Sequence, residues 1–560
     1  MITRCCLTAL TMLCLLGCVN RPATVGDASD PSGADGLPSL PPEVQREFRG
    51  MWIATVANID WPTESGLTTQ QQKNELTEML DEIVALGLNT VIFQVRTSAD
   101  ALYQSQHEPW SSYLTGTQGQ APDPAYDPLA FVIQESRRRG LELHAWINPL
   151  RASHPSYEGP LDPDHVSQTL PQATPRYGNM LWMDPGHPDT LQQTLAVVED
   201  LVANYDLDGL HIDDYFYPYP QEGEDGQRID FPDQQTFADY QAGGGKLSRD
   251  DWRRDNVNRM VKAMYRTIKR IKPHVKFGIS PFGIWRPGHP EYVKGMDQYA
   301  AIYADAKLWL EQGWCDYFVP QLYWNIQNPD QSFIGLLDWW NQITPDDRHL
   351  YPGLYTSRTA DGSARQFDGE QIGQQVRWSR IMLPDDHPGH VHFSMKAIME
   401  NRAGLRDSLP KQVYGQAALP PAMPWLKSPN KLRRPQVTAA EFDDGQTRLR
   451  LDPDSVRATR WITAHWKSAD GQRWVSGVYP VVDDTLVIEQ AIPASRPETN
   501  NETDAENAGD QAPAAGPPTV WLRAYDRLGK ATTPVRVELI ESSDTLVHAT
   551  PRPAAEAGAR

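Results

Sequence analysis

Two adjacent carboxylates, Asp213 and Asp214, are the residues of this chain best placed to do chemistry. They directly follow the apolar, β-prone segment 209–212, and the aromatic residues Tyr215 and Phe216 come next. Glycoside cleavage needs one carboxyl group to protonate the leaving oxygen and a second to attack the sugar or to activate water. Aromatic rings suit the apolar faces of sugar rings. The segment therefore predicts a sugar-cleaving site, and its structural alternative is a helix cap or a loop carboxylate.

The phase of the preceding strand separates the two acids. Side chains alternate between the two faces of a strand, so Asp213 shares its face with His211, whereas Asp214 points elsewhere unless the strand has already ended. We therefore expect Asp213 to serve as nucleophile or base. Asp214, Asp100 and Asp361, in that order, are the candidates for the acid.

The elements that must position these acids alternate between strands and helices. Apolar residues recur at helical spacing over 69–86, 191–205 and 255–271. Eight runs rich in Val, Ile, Phe, Tyr and Leu have the composition of buried strands, namely 50–56, 89–96, 142–148, 209–213, 276–280, 316–322, 349–354 and 390–394. This alternation predicts an α/β fold, a (β/α)8 TIM barrel over residues 46–425. A doubly wound open sheet is the alternative, but no Gly-rich phosphate loop follows an early strand.

The ends of barrel strands meet in one mouth, so residues at the predicted strand ends are candidates for the same site. The candidates for substrate binding are polar or aromatic: Arg96, His144, Asn148, His211, Tyr215, Trp285, Tyr323 and Trp324. Some have a structural alternative. The two histidines could be interior barrel residues, Arg96 could form a buried ion pair with Asp100, and Asn148 before Pro149 could be a strand-ending turn.

After about residue 435 the pattern changes to short strands of period two without long helices. Runs at 447–451, 461–466, 486–489, 520–525 and 535–539, separated by turns, predict a β-sandwich that resembles a fibronectin type III module over 435–545. The segment 496–518 is rich in Asn, Glu, Asp, Ala and Pro and predicts a disordered insertion. Residues 546–560 are predicted to be a disordered tail.

The N-terminus predicts an exported protein. Arg4 and an apolar run over 7–16 precede Gly17-Cys18, a pattern that resembles a bacterial lipoprotein signal over residues 1–17 with lipidation at Cys18. Removal of the signal would leave Cys18 and Cys315, so no disulfide framework is expected. Residues 18–45 are rich in Pro, Gly, Ser and Asp and predict a flexible tether. Val19 after the modified cysteine favours, by resemblance to bacterial sorting rules, the periplasmic side of the outer membrane as the cell-envelope location. The net charge of −20 argues against a nucleic-acid partner.

Several motifs together resemble one family. They are FRGMWIA at 48–54, VIFQVR at 91–96, DALY at 100–103, EPWS at 108–111, AWINP at 145–149 and GISPFGIWR at 278–286. In this order they are similar to the glycosyl-hydrolase-like family 10 proteins over about residues 46–410. The resemblance implies a bacterial TIM-barrel protein, often a lipoprotein, and some members are linked to cleavage of peptidoglycan glycan strands. A fibronectin-like domain downstream is consistent with that family.

Two wider resemblances point to Asp213. The segment 208–213 resembles the fourth-strand motif of α-amylase-type barrels, in which the last Asp is the nucleophile, although those enzymes have Arg where His211 stands. It also resembles the chitinase strand motif, but Asp214 and Tyr215 occupy its Trp and Glu places. The chitinase acid is therefore missing, and no Glu ends the fifth strand as in the amylases.

Three hypotheses follow. The first is a lipid-anchored glycoside hydrolase that cleaves O-glycosidic bonds in a cell-envelope polysaccharide, with peptidoglycan glycan as the expected substrate and no cofactor or metal. The second is a non-catalytic carbohydrate-binding lipoprotein on an enzyme-like barrel. The third is a metal-dependent deacetylase with Asp213, His211 and His144 as its ligands.

Overall fold

The computed structural model describes residues 40–443, 445–490, 492–493 and 518–539. The described residues from Glu43 onward form one compact unit. The predicted signal peptide, Cys18, nearly all of the 18–45 tether and of the 496–518 insertion, and the 546–560 tail lie outside the described residues. Within the described residues, no helix is both long and apolar enough to cross a membrane.

Strands and helices alternate through the first three quarters of the chain, as the sequence predicts. The strands are β1 (Phe48–Ile53), β2 (Thr90–Arg96), β3 (Glu142–Ile147), β4 (Arg176–Tyr177), β5 (Met180–Leu181), β6 (Gly209–Ile212), β7 (Lys276–Ile279), β8 (Tyr317–Phe318), β9 (His349–Leu350), β10 (Gly353–Leu354) and β11 (Gly389–His392). Nine of them form a parallel sheet in the order β10-β11-β1-β2-β3-β6-β7-β8-β9. The remaining two, β4 and β5, form a short antiparallel hairpin that the sequence did not predict.

The sheet curls so that its two ends are joined by one interrupted strand. Strands β9 and β10 are successive parts of the predicted seventh strand, with Pro352 between them. The Tyr351 amide donates to the Phe318 carbonyl at 2.9 Å on one side, and the Phe393 amide donates to the Leu354 carbonyl at 2.8 Å on the other. Proline has no amide hydrogen to give, which explains the interruption. The eight predicted strands are thus present in a TIM-barrel-like sheet.

Helices cover the outside of this sheet. They are α1 (Thr69–Ala85), α2 (Ser112–Thr115), α3 (Pro128–Arg138), α4 (Val166–Thr169), α5 (Pro188–Asn204), α6 (Gln234–Ala242), α7 (Arg249–Ile271), α8 (Gln298–Ala301), α9 (Ala306–Glu311), α10 (Phe333–Ile343), α11 (Gln371–Met382), α12 (Met395–Met399) and α13 (Leu405–Gln412). In α1, Thr68 and Gln71 form a capping box at the start, and Leu76, Leu80 and Ile83 are buried against the sheet. The helix ends just before Gly87, whose φ is +81°.

The C-terminal region is all-β. A short helix α14 (Pro453–Val456) lies among β12 (Val437–Asp443), β13 (Gln446–Leu451), β14 (Trp461–Lys467), β15 (Trp474–Pro480), β16 (Thr485–Ile488), β17 (Thr519–Tyr525) and β18 (Val535–Glu538). The antiparallel sheets β12-β13-β16 and β15-β14-β17-β18 enclose a core that includes Leu449, Leu486, Ile462 and Leu522. Strands β12 and β15 were not predicted from the sequence. The likeness to a fibronectin type III module stays a prediction.

The β-region is fixed to the barrel by buried polar contacts. Arg460 donates to the Leu141 carbonyl at 2.6 Å and pairs with Asp208 at 3.1 Å, one residue before β6. The Trp461 indole donates to the Gly140 carbonyl at 2.7 Å. Burial alone would raise the pKa of Asp208, but Arg460 and Arg527 hold it below its ordinary value. The all-β region is therefore part of the charge balance around β6, the strand that leads to the two acids.

Candidate active site

A cavity of about 340 Å³ opens at the carboxyl ends of the barrel strands. Each of the eight barrel strands, with β9 and β10 counted as one, contributes a lining side chain at or near its carboxyl end. The lining residues are Trp52, Ala54, Val56, Ile59, Gln94, Trp146, Arg151, Asp213, Asp214, Tyr215, Tyr219, Ser280, Phe282, Gln321, Tyr323, Trp324, Tyr355 and Phe393. Of the residues predicted to act in the site, the structure brings together both acids, Tyr215, Tyr323 and Trp324.

Asp213 lies in this cavity with one oxygen held and one free. Its Oδ2 accepts hydrogen bonds from the Trp146 indole at 3.0 Å and from the Asn148 amide at 3.4 Å. Its Oδ1 is buried and has no hydrogen-bond partner among the described residues. Burial and the nearby Asp214 raise the pKa of Asp213 to about 7. The side chain can therefore hold a proton near neutral pH and present it to a ligand.

Asp214 also lines the cavity, because β6 ends at Ile212 and the strict alternation of the strand ends with it. From the sequence, Asp214 was expected to reach the site only if the strand ended before it, and the strand does end there. Burial raises the pKa of Asp214, while the hydroxyl of Tyr219 donates a short hydrogen bond to its Oδ2 and opposes that rise. Both acids accept hydrogen bonds, which favour their ionised forms, but the pKa of Asp213 is raised further by the charge of the nearby Asp214.

Aromatic rings form most of the remaining wall. Tyr323 and Tyr355 stack with their ring centroids 4.6 Å apart, and Trp324 meets Phe282 edge-on at 5.5 Å. Trp324 is half-buried, so part of its ring remains open to a ligand. Flat apolar walls around a few polar groups are typical of a site for small polar molecules such as sugars.

Three residues predicted for the site have structural roles beside it. Arg96 pairs with Glu108, with Nη2 and Oε1 2.5 Å apart, and not with Asp100 as the sequence suggested. Asp100 is buried in the loop after β2, where its Oδ1 accepts from the Thr97 hydroxyl at 2.6 Å, and it does not line the cavity. Asn148 does not line the cavity either, but it donates to Asp213. It positions the acid and does not itself face a ligand.

The two predicted histidines lie deeper in the barrel. His144 Nδ1 and His211 Nδ1 both contact the Tyr317 hydroxyl, at 2.7 and 3.0 Å. His211 Nε2 lies 2.9 Å from the hydroxyl of Ser280, which does line the cavity. Each histidine is two residues before a cavity residue on its strand, and two residues along a strand place it one layer lower. The two histidines therefore do not face the cavity. They form hydrogen bonds in the layer beneath it, and His211 contacts the cavity residue Ser280.

The structure does not favour the deacetylase hypothesis. Among the described residues, no group of three or more His, Cys, Asp or Glu side chains is arranged to hold a metal ion. The proposed ligands His144 and His211 instead share Tyr317 as a hydrogen-bond partner.

Two further candidates lie outside the cavity. Trp285 stacks on Trp339 with centroids 5.9 Å apart and donates to Asp305 at 3.2 Å. Asp361, the third candidate for the acid, is fully exposed, and hydrogen bonds from Ser363 lower its pKa. Because an exposed acid of low pKa has no proton to give near neutral pH, the structure removes Asp361 from the candidates.

Comparisons with known proteins show the family to which the chain belongs. The sequence profile of the family described as glycosyl hydrolase-like 10 matches residues 47–368. The chain belongs to this family. It is 41% identical over 415 residues to the glycosyl hydrolase YngK of Bacillus subtilis, covering 72% of this chain and 79% of that protein. It is 33% identical over 368 residues to the glycosyl hydrolase DigH of Escherichia coli K12, covering 62% of this chain and 81% of that protein.

Among solved structures, the catalytic domain of β-amylase from Paenibacillus polymyxa superimposes with a TM-score of 0.45 at 9% identity, covering 67% of this chain and all of that domain. The family match supports a glycosidase-like activity for the chain, and the cavity lies within the matched part for all but one of its lining residues, Phe393.

Sequence reasoning missed several residues of this glycosyl hydrolase-like 10 site. Gln94 and Arg151 stand at predicted strand ends, which are expected to point into the mouth of the barrel, but the sequence did not single them out as site residues. Tyr219 comes from the loop after β6, four residues beyond the last predicted strand-end residue. The aromatic run from Tyr215 onward was its only signal, since a side chain that reaches back from a loop follows no strand period.

Proposed function

We propose that this chain is an exported, lipid-anchored glycoside hydrolase that cleaves O-glycosidic bonds in the glycan strands of peptidoglycan. The observation that carries the catalytic part is the buried carboxyl pair of Asp213 and Asp214 in an aromatic-walled cavity, where Oδ1 of Asp213 has no hydrogen-bond partner among the described residues. Membership of the glycosyl hydrolase-like 10 family supports the reaction class. The lipid anchor rests on the sequence around Cys18 and the substrate on the family resemblance.

The electrostatics favour a division of roles opposite to the one expected from the sequence. Asp213, with a pKa near 7, carries the proton that its free Oδ1 donates to the glycosidic oxygen. Asp214, held by the Tyr219 hydroxyl, is the carboxylate that attacks the sugar or activates water. Activity is therefore expected to fall as the pH rises through about 7, because Asp213 then loses its proton.

The test is release of reducing ends from peptidoglycan glycan strands that have been stripped of peptides. The Asp213→Asn and Asp214→Asn variants should each lose at least about a hundredfold in kcat, as expected when an acid or base is removed. Asp361→Asn, which changes an exposed acid, is the control and should keep full activity. Undiminished activity of Asp213→Asn would contradict the assignment. Retention of glycan without release of reducing ends by the unaltered protein would favour the non-catalytic alternative.

The anchor and location have their own test. Cells that express the full chain should incorporate a radiolabelled fatty acid into it, and the label should be lost in a Cys18→Ser variant. The labelled protein is expected in the outer-membrane fraction. Equal labelling of the two proteins would contradict lipidation at Cys18.

A further inference from the structure

A second cavity lies where the all-β region meets the barrel. This basal cavity has a volume of about 210 Å³ and is lined by residues 137, 206, 272, 274, 428–430, 457–460, 526 and 527. Its barrel residues come from the end of α3 and from the segments just before β6 and β7, so it lies at the amino ends of the strands, opposite the candidate active site. No described residue lines both cavities, and the proposed hydrolysis uses none of the residues of the basal cavity.

The wall of the basal cavity is positively charged, although the whole chain has a net charge of −20. Five lining side chains are cations, namely Arg137, Lys272, Arg457, Arg460 and Arg527. Burial and the nearby Arg527 lower the pKa of His274, which also lines the cavity, to about 4, so its imidazole is neutral near pH 7. Three carboxylates oppose the five cations, those of Asp206 and Asp526 in the wall and that of Asp208 behind it. Five cations against three carboxylates leave a surplus of two positive charges.

Ion pairs with two of these carboxylates account for three of the cations. Asp206 pairs with Arg137 at 2.9 Å and with Arg527 at 2.8 Å. Asp208 pairs with Arg460 at 3.1 Å and with Arg527 at 3.4 Å. These three arginines therefore have a structural role, since they balance acids at the base of the barrel.

The other two cations have no such role. Lys272 donates to the Tyr205 carbonyl at 2.9 Å, which is a neutral acceptor. Neither Lys272 nor Arg457 forms an ion pair with a described carboxylate. Burial lowers the pKa of Lys272, and the charge of Arg527 lowers it further. An anion in the cavity would relieve this repulsion and would supply the missing counter-charge.

Three polar atoms in the wall also lack a hydrogen-bond partner among the described residues. They are Nε of Arg460, the hydroxyl of Thr459 and Oδ2 of Asp526. Arg460 and Thr459 are each 8% exposed, and Asp526 is 1% exposed. Buried polar atoms without a partner are costly, and native structures keep few of them. Their convergence on one cavity indicates a ligand that accepts hydrogen bonds from the first two atoms and donates one to the third.

The charge and the hydrogen-bonding pattern distinguish between kinds of anion. A phosphate monoester carries a charge of about −2 near pH 7 and three acceptor oxygens, whereas a carboxylate carries a charge of −1 and has two. The surplus of two positive charges therefore fits the phosphate monoester. Both Lys and Arg bind phosphate through charge-assisted hydrogen bonds. Because Oδ2 of Asp526 is an acceptor, the same ligand must also carry a hydroxyl group.

We propose that the basal cavity binds a small phosphate monoester that carries a hydroxyl group. Lys272 and Arg457 balance the charge of its phosphoryl group. Arg460 and Thr459 donate to the phosphoryl oxygens, and Asp526 accepts from the hydroxyl. Because Lys272 belongs to the barrel and the other four residues to the all-β region, the ligand bridges the two. The inference concerns a different site from the proposed hydrolysis and does not rest on it.

Calorimetry on the full chain in phosphate-free buffer is the first test. The probes are glycerol phosphate, inorganic phosphate, acetate and glycerol, all at the same ionic strength. Glycerol phosphate should bind at one saturable site, at least about tenfold more tightly than acetate, because its charge is larger. Glycerol should show no binding. Absence of saturable binding of either phosphate probe would overturn the proposal, whatever the hydrolase activity.

Two charge variants and a matched control locate the site. Lys272→Gln should weaken the binding of glycerol phosphate by about tenfold, and the exposed Arg457→Gln by about threefold, because each removes a charge that the phosphoryl group contacts. Arg448→Gln changes an exposed arginine of the all-β region outside the cavity and should alter the affinity by less than about twofold. Equal weakening by all three variants would mean that only the overall charge matters and would overturn the site.

Thr459→Val tests the buried hydroxyl without changing any charge. Since the hydroxyl has no partner among the described residues, the variant should be at least as stable as the unaltered protein when no ligand is present. Glycerol phosphate should raise the midpoint of thermal unfolding of the unaltered protein and raise that of the variant less. A variant that is stabilised by the ester as much as the unaltered protein would contradict the contact with Thr459.

Two further measurements distinguish the source of the phosphoryl group and the independence of the site. Vesicles of phosphatidylcholine with phosphatidic acid test a lipid headgroup: binding that glycerol phosphate displaces and Lys272→Gln weakens would assign the phosphoryl group to a lipid. Binding of the soluble ester alone would assign it to a free metabolite, and either result supports the site. Lys272→Gln should cleave glycan as fast as the unaltered protein. A loss of cleavage that parallels the loss of glycerol phosphate binding would overturn the separation of the two sites.

Discussion

Replacing Asp213 with Asn is expected to stabilise the folded protein at neutral and alkaline pH. In the unfolded chain this carboxyl titrates near its ordinary pKa of 3.8, whereas in the cavity its pKa is about 7. Between these two values the folded state binds more protons than the unfolded state, so the stability of the unaltered protein falls as the pH rises. The loss begins near pH 4 and is complete above about pH 8.

The magnitude follows from the same two values. At about 1.4 kcal/mol per pH unit, a rise from 3.8 to about 7 corresponds to about 4 kcal/mol. Asn at this position can keep its oxygen where Oδ2 accepts from the Trp146 indole, and its amide group would occupy the place of the unpartnered Oδ1. The variant therefore removes a buried charge and can keep the hydrogen bond from Trp146. It should be about as stable as the unaltered protein at pH 4 and about 4 kcal/mol more stable at pH 8.

Urea denaturation at several pH values between 4 and 8.5 measures this difference. Asp361→Asn is the control, because that carboxyl is fully exposed and should give no comparable gain at pH 8. The chain has a barrel and an all-β region, so both fluorescence and circular dichroism should be followed to check that one transition is being compared. A difference between Asp213→Asn and the unaltered protein that does not change with pH would refute the reasoning, as would a less stable variant at pH 8.

Three further outcomes test other parts of the structure. Tyr219→Phe removes the hydroxyl that opposes the rise in pKa of Asp214, so the acidic limb of the pH–rate profile should move to higher pH and kcat should fall about tenfold. Trp324→Ala should raise KM by about tenfold, because it opens the cavity wall, whereas Trp285→Ala should change KM by less than about twofold. Arg460→Met should cost about 3 kcal/mol in denaturation experiments, since it removes one of the two arginines that pair with the buried carboxylate of Asp208 and leaves only Arg527.

These outcomes have matched controls. The exposed pair Arg450–Glu441, with its nitrogen and oxygen 3.2 Å apart, offers Arg450→Met as the comparison for Arg460, and its loss should stay below about 1 kcal/mol. If Arg460→Met and Arg450→Met lowered the free energy of unfolding equally, the buried contact between the all-β region and the barrel would be contradicted. Equal effects of the two tryptophan variants on KM would contradict the boundary of the cavity.

The fold was largely predictable because the barrel strands lie in runs that are rich in Val, Ile, Phe, Tyr and Leu, most of them continuously apolar. The strands missed in the β-region, Val437–Asp443 and Trp474–Pro480, lack that signal: in the second, six of seven residues are half-buried and one is exposed. The predicted sixth and seventh strands run over 316–322 and 349–354, but prolines at 320 and 352 limit the paired segments to two residues each. The amino-acid composition of a run indicates a buried strand. The length of that strand depends on which of its backbone amides donate to a neighbouring strand.

The site was predictable only in part, for a geometric reason. Alternation along a strand shows which residues face the barrel interior, but not the layer in which each of them lies. His211 and Asp213 share a face, yet the histidine contacts Tyr317 in the core while the acid reaches the cavity. Arg96 likewise looked available until the loop after β2 supplied Glu108 as its partner. Tyr317 and Glu108 belong to other segments of the chain than the residues they contact. The spacing of residues along one strand therefore does not predict these contacts.

Several buried charged groups of the barrel are ion-paired outside the cavity, whereas Asp213 inside the cavity has no ion-pair partner in the described part of the chain. Below the cavity, Glu142 is ion-paired with Lys276 at 2.5 Å, and beside the cavity Arg96 is paired with Glu108. In the cavity, Asp213 has no ion-pair partner among the described residues and keeps one oxygen free. The gain of about 4 kcal/mol expected when Asp213 is replaced by a neutral residue measures the stability that the buried acid costs at pH 8. A stabilising substitution that abolishes turnover would be the direct sign that the unpaired acid is retained for chemistry.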